Sequence, residues 1–132
     1  MIVTLKGEAK DAHSGMAGIY ILGPNMVNGK SHWLQNPGTN AIWYTKEKRN
    51  WHIADQVHLG NDRAWIFSSE DVAGPQEATT WEYYDDKWII SDDILVDTYA
   101  EPGMSYIIYQ VVLELETYDV TMSNGNFKLS VA

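Results

Sequence analysis

The chain contains no cysteine, which excludes disulfide bridges, thiolate zinc sites and cysteine nucleophiles together. Long apolar runs are also missing. The longest, over 19–23 and over 106–113 with Gln110 interrupting, are strand-sized and fall short of the ~18 to 20 residues that a membrane helix needs. A soluble chain without membrane insertion is the expectation, with the compartment left open. Basic residues are scarce: nine Lys and Arg stand against eighteen Asp and Glu, for a formal net charge of −9 at pH 7. A nucleic-acid backbone is bound by Lys and Arg that displace counterions, so no nucleic-acid partner is expected. The opening Met1-Ile2-Val3-Thr4-Leu5-Lys6-Gly7 has no basic stretch followed by a long apolar one, and reads as a first strand with no signal peptide.

What is present is a globular composition. With 132 residues and 45% hydrophobic content, the chain has room for one domain over 1–132 and is too apolar and aromatic for disorder. The acidic excess sits in one place: residues 70–101 hold ten carboxylates and the single cation Lys87. Such a segment is a solvated face unless it meets a cation or a basic partner.

Short apolar runs recur between turn signals, among them Asn28-Gly29, Asn36-Pro37-Gly38, Gly74-Pro75, Pro102-Gly103 and Asn124-Gly125. This cadence predicts an all-β fold, a single antiparallel sandwich or barrel built from hairpins. The candidate strands cover 2–5, 19–22, 41–45, 51–54, 64–68, 79–84, 88–91, 106–116, 117–122 and 127–131. They are rich in the Val, Ile, Thr, Tyr and Trp that suit a pleated, half-buried surface. Alternation is clearest at the C-terminal end, where Val111, Leu113 and Leu115 share one face and Phe127, Leu129 and Val131 follow the turn at Asn124-Gly125. That hairpin is expected beside the N-terminal strand. The windows 7–16 and 69–78 contain Gly or Pro and promise at most a turn of helix.

Two central hairpins are alike. Residues 43–55 can be laid on 81–92 with one residue dropped in the turn, each reading aromatic strand, charged turn, Trp-led strand, then Asp. Two copies are too few for a repeat array, so they are expected as similar Trp-rich hairpins within one core. The stretch Gly18-Ile19-Tyr20, Val27-Asn28-Gly29-Lys30, Trp43-Tyr44, Trp51-x-Ile53, Trp81 and Trp88-Ile89 resembles a small β-module of multidomain proteins from marine invertebrates and protists. Its pattern is Gly-x-Tyr, Val-Asn-Gly, Tyr-Tyr, Trp-x-Ile, Trp. The resemblance covers about residues 17–96. It implies a repeatable, extracellular-type or interaction domain and carries over no catalytic residue.

Six Trp and eight Tyr are the strongest compositional signal. Aromatic faces bind sugar rings, prolines and cations by stacking, although small β domains also use Trp as core. Trp51 and Trp88 open the second strands of their hairpins, where cross-strand packing would place them, and read as structural. Trp33 in a Gly/Asn/Pro-rich stretch, and Tyr83 and Tyr84 beside Asp85 and Asp86, are the candidates for an exposed ligand-binding site.

Metal and catalytic chemistry find less support. On one extended strand His52 and His58 would lie roughly 20 Å apart at ~3.3 Å per residue, and His52 and Asp55 would face opposite ways, so only a turn near Gln56 would allow a zinc site. Loop oxygens of Ser91, Asp92, Asp93 and Asp97 could ligate calcium, without the spacing of an EF-hand. The adjacent carboxylates Glu70-Asp71, Asp85-Asp86 and Asp92-Asp93 point to opposite faces of a strand and make no ready acid/base dyad. No phosphate loop, dinucleotide fingerprint, nucleophile elbow or His-Glu-x-x-His motif occurs, and His13-Ser14 alone is no triad. The residues thus favour a non-catalytic recognition module for a glycan or protein, with no catalytic residue and no cofactor other than calcium. The alternatives are a saccharide hydrolase with carboxylates from separate strands, and a self-associating protein whose long strand over 106–116 would drive a homo-oligomer.

Overall fold

A computed structural model describes residues 1–98, 118–123 and 126–131. Contacts group the chain into two compact units, Met1–Thr98 and Tyr99–Ala132. The fold is all-β, as the strand cadence predicts. Nine strands form one nearly closed, barrel-like antiparallel sheet: β1 (Ile2–Leu5), β2 (Gly18–Leu22), β3 (Trp33–Gln35), β4 (Asn40–Thr45), β5 (Asn50–Asp55), β6 (Ile66–Ser68), β7 (Trp81–Tyr84), β8 (Trp88–Ser91) and β9 (Ile94–Asp97). Strands β1 to β8 pair consecutively as a meander, and β9 returns to the free edge of β1, pairing Ile2 with Asp97 and Leu5 with Ile94. The seam of the barrel lies between β8 and β9.

Both edges of β1 are therefore filled, by β2 and β9. The strand beside it is Ile94–Asp97, in place of the C-terminal hairpin expected there. The two strands of that hairpin are present, β10 (Tyr118–Ser123) pairing with β11 (Asn126–Val131) in the register Ser123 with Asn126. The expected strand over 106–116 lies outside the described residues.

Period-2 alternation builds the barrel interior. Val3 and Leu5, Tyr20, Ile42 and Tyr44, Trp51 and Ile53, Ile66, Trp81 and Tyr83, Ile94 and Val96 all point inward and are buried. Between β1 and β2 runs α1 (Gly7–His13), which with the turn Ser14–Met16 exceeds the single turn expected of 7–16. Glu8 in its first turn and Lys10 and His13 in its last complement the helix dipole, while Ala9 and Met16 reach the core. The window 69–78 holds one short turn, Pro75–Glu77.

The outer face is uneven. Over β4 and β5 it is covered: Ala41, Trp43 and Ala54 form a second buried cluster beneath Val27, Leu34 and Leu59. Asn28, in the left-handed region at φ 54°, fastens this cover by donating from Nδ2 to the carbonyls of Tyr44 (2.8 Å) and Gly60 (3.1 Å). Trp43 Nε1 donates to Asn61 at 3.0 Å beneath it. Over β6, β7 and β8 no such cover is seen among the described residues, and large aromatics reach the surface.

Candidate functional site

The two central hairpins look alike in sequence and face opposite ways. In β4–β5 the turn over 46–49 joins Thr45 to Asn50, and the cross-strand pair Tyr44–Trp51 points into the barrel. The turn of β7–β8 has only residues 85–87 between Tyr84 and Trp88, with Asp86 at φ 59° and Asp85 N–H donating to Lys87 at 2.9 Å. The facing already differs on the entry strand, where Trp43 lies on the outer face and its counterpart Trp81 lies in the barrel interior, and alternation carries that difference through the turn. Tyr84–Trp88 consequently points outward. This corrects two expectations: Trp88 is 43% exposed where core packing was expected, and Tyr83 is 2% exposed where a surface position was expected.

Tyr83 and Tyr84 are neighbours on one strand and must point to opposite sides of the sheet. Tyr83 pairs with the inward Ile66, so Tyr84 is the one left outside, next to Trp65. The outer faces of β6, β7 and β8 together carry a continuous run of rings. Trp65 lies 6.1 Å from Tyr84, Tyr84 5.3 Å from Trp88, and Trp88 4.7 Å edge-to-face on Phe67. Phe67 continues to His52 at 6.3 Å, and His52 to the covered Trp43 at 6.1 Å. Trp65 (46%) and Tyr84 (37%) are exposed like Trp88.

Two clefts flank this run. The first, of about 390 Å³, is bounded by His13, Trp65, Tyr84, Asp85 and Asp86. His13 enters from the end of α1, its Nε2 2.7 Å from the Tyr84 carbonyl and its ring 5.6 Å from Trp65. A carbonyl can only accept, so Nε2 is the donor in this contact. The second cleft, of about 310 Å³, is bounded by Lys48, His52, Asp62, Arg63, Phe67 and Trp88. His52 is buried with Nδ1 3.1 Å from the Arg63 carbonyl, and its Nε2 stands 3.9 Å from Asp62. Burial lowers its pKa below the ordinary histidine value, opposed by the Arg63 carbonyl and the Asp62 charge.

The sequence-expected site is thus divided. Tyr84, Asp85 and Asp86 come together at the exposed run. Trp33 lies elsewhere, half-buried against Trp51 at 6.0 Å, in a groove with Lys30, Gln76 and Glu77. Trp65, Phe67 and His13 are additions that no motif marks, and Trp88 joins them although the hairpin motif read it as structural. The signal for Trp65 and Phe67 is their spacing about the inward Ile66.

Part of the acidic segment is structural. Glu70 accepts from the backbone N–H of Thr79 (2.6 Å) and Thr80 (2.8 Å), from the Thr79 hydroxyl (2.9 Å) and from Ser68 (3.2 Å). These donors, the Thr80 N–H foremost, hold its carboxyl below the usual range. Asp71 accepts from the Tyr44 hydroxyl at 2.7 Å, which raises the pKa of that tyrosine. Of the oxygens considered for calcium, Ser91 Oγ accepts from the Asp93 backbone N–H at the β8–β9 turn, while β9 carries Asp97 to its far end. A turn does follow at Gln56–His58, but His52 is bonded to Arg63. Among the described residues no three His, Asp or Glu side chains gather as a metal-binding group. No family model, curated protein or solved structure matches the chain.

Proposed function

We propose that the Met1–Thr98 unit is a non-catalytic recognition module that binds a glycan across Trp65, Tyr84 and Trp88. The observation that carries this reading is the contiguous exposure of three large rings beside the Asp85-Asp86 turn. Exposed aromatics that touch one another cost solvation free energy unless a ligand covers them, and a sugar ring offers the C–H face that stacks on them. Carboxylates at the rim accept hydrogen bonds from hydroxyl groups, which an apolar partner could not supply. The planes of neighbouring rings are inclined by 47° and 63°. Rings so turned suit successive sugars of a twisting chain better than one flat ligand. The resemblance of residues 17–96 to a repeatable interaction module points the same way.

A panel of neutral and acidic oligosaccharides tested by titration calorimetry examines this. Saturable binding is expected, with Trp88→Ala and Tyr84→Ala each lowering affinity by about tenfold, the equivalent of one lost stacking contact. Chromatography of the incubated saccharides should show them intact. Shortened products would instead favour the hydrolase reading, and no binding to any saccharide would favour a protein partner.

A further inference from the structure

The aromatic run is electrically polarised. At the Trp65–Tyr84 end stand Asp85 and Asp86. At the Phe67–Trp88 end stand Lys48 and Arg63. This second end departs from the rest of the chain: four of its nine cations, Lys46, Lys48, Arg49 and Arg63, fall within the turn over 46–49 and the neighbouring loop, against only Glu47 and Asp62 there. In a chain with twice as many acids as bases, a locally positive cleft repeats nothing of the global charge.

The ion pairs among the described residues are Lys48–Asp62 at 2.8 Å and the His52–Asp62 contact at 3.9 Å. Both use Asp62, and among the described residues no carboxylate stands within ion-pair distance of the Arg63 guanidinium. Arg63 lines the Phe67–Trp88 cleft and also a smaller one beside Trp65. It is therefore within the run of rings and not at its margin. The Lys48–Asp62 pair separates the Trp88 cleft from another, of about 440 Å³, lined by Asn28, Lys46, Glu47 and Asn61.

We infer that the glycan is anionic, with a carboxylate or sulfate ester seated against Arg63 and Lys48 beside Trp88, and hydroxyl-rich sugars toward Asp85 and Asp86. This rests on the glycan reading above. A guanidinium presents a planar fork that matches either oxyanion, and Arg63 does so here beside Phe67 and Trp88. The opposite charges at the two ends also fix the direction of the bound chain. An anion placed at the Asp85-Asp86 end would meet like charge, which orients more than it strengthens.

The test compares oligogalacturonate, a sulfated heparin-derived tetrasaccharide and a neutral cello-oligosaccharide by calorimetry, at low and high salt, on the full chain. At least one anionic saccharide is expected to bind about tenfold more tightly than the neutral one at low salt, with the advantage shrinking as salt screens it. Arg63→Gln and Lys48→Gln should abolish that advantage; their melting temperatures verify folding. Preference for galacturonate identifies a carboxylate, and preference for the sulfated ligand a sulfate ester. Equal binding of neutral and acidic saccharides, or an anionic preference untouched in folded Arg63→Gln, overturns the inference while leaving the glycan reading in place. Absence of binding to all three overturns both.

Discussion

Trp51 and Trp88 occupy equivalent places in two similar hairpins, and the structure assigns them opposite fates. Replacing each by Ala makes the difference measurable. Trp51 is buried to 1% exposure, donates from Nε1 to the Val72 carbonyl at 2.9 Å, and packs at 5.4 Å on Tyr44 and 6.0 Å on Trp33. Its removal opens a core cavity and leaves a carbonyl unsatisfied, so a loss of about 3–5 kcal/mol is expected. Trp88 sits outside the barrel with two edge-to-face contacts, to Phe67 and Tyr84. Part of that interaction is replaced by water on truncation, and a loss of about 1 kcal/mol is expected. For a domain of this size 1 kcal/mol moves the melting temperature by about 4–8 °C. Trp51→Ala should therefore melt on the order of 15–30 °C lower, or fail to accumulate folded, while Trp88→Ala falls by only about 5 °C. Thermal unfolding followed by circular dichroism reads both. Equal losses, or a larger loss at Trp88, would refute the opposite facing on which the exposed face depends.

Other expectations concern the core, the loops and pH. His52 has a lowered pKa in the fold, so it adds stability above the unfolded value near 6.5 that is lost as pH falls below it; Glu70, also lowered, adds stability that is lost below about 4.5. Urea titrations across pH should show both declines, with Glu70→Gln flattening the lower one and His52→Phe the upper; unchanged slopes would contradict the assignments. A Cβ added at Gly23 would clash with the buried His32 ring at Nε2. Gly23→Ala should lose about 1–3 kcal/mol in denaturant unfolding, and a Gly23→Ala/His32→Ala pair should lose less than the two singles added. Trp81 Nε1 is buried without a partner among the described residues, whereas Trp51 Nε1 is satisfied. Trp81→Phe should thus be the milder of the two Trp→Phe changes by about 1 kcal/mol, and a reversed order would show that the Trp81 indole is bonded after all.

The barrel was largely legible because its strands alternate. Val3 and Leu5, or Ile42 and Tyr44, announce an inward face by period alone. Strands β3 and β9 were not foreseen, since Trp33–Gln35 is three residues between turn-rich segments and Ile94–Asp97 is flanked by Asp residues that read as loop. Tertiary pairing with β2, β4 and β1 makes them strands. The site was half legible. Composition drew attention to Tyr84, Asp85 and Asp86, but adjacency could not say which of Tyr83 and Tyr84 faces outward; the pairing of Tyr83 with Ile66 decides that. Trp88 was misjudged because likeness of residues was taken for likeness of facing, and β7 enters its hairpin with the opposite face inward from β4. His13 could not have been found at all, as it reaches Trp65 and Tyr84 from α1, distant in sequence.

The most direct test of the central claim uses the six tryptophan indole N–H signals in a nitrogen-15 correlation spectrum, assigned by single Trp→Phe changes. Titration with oligogalacturonate and with a cello-oligosaccharide should move the signals of Trp65 and Trp88 saturably. The buried Trp43, Trp51 and Trp81 should stay in place, as should Trp33 in its separate groove. Movement of Trp33 and Trp51 with Trp65 and Trp88 still would contradict the account, by placing the ligand in the other groove.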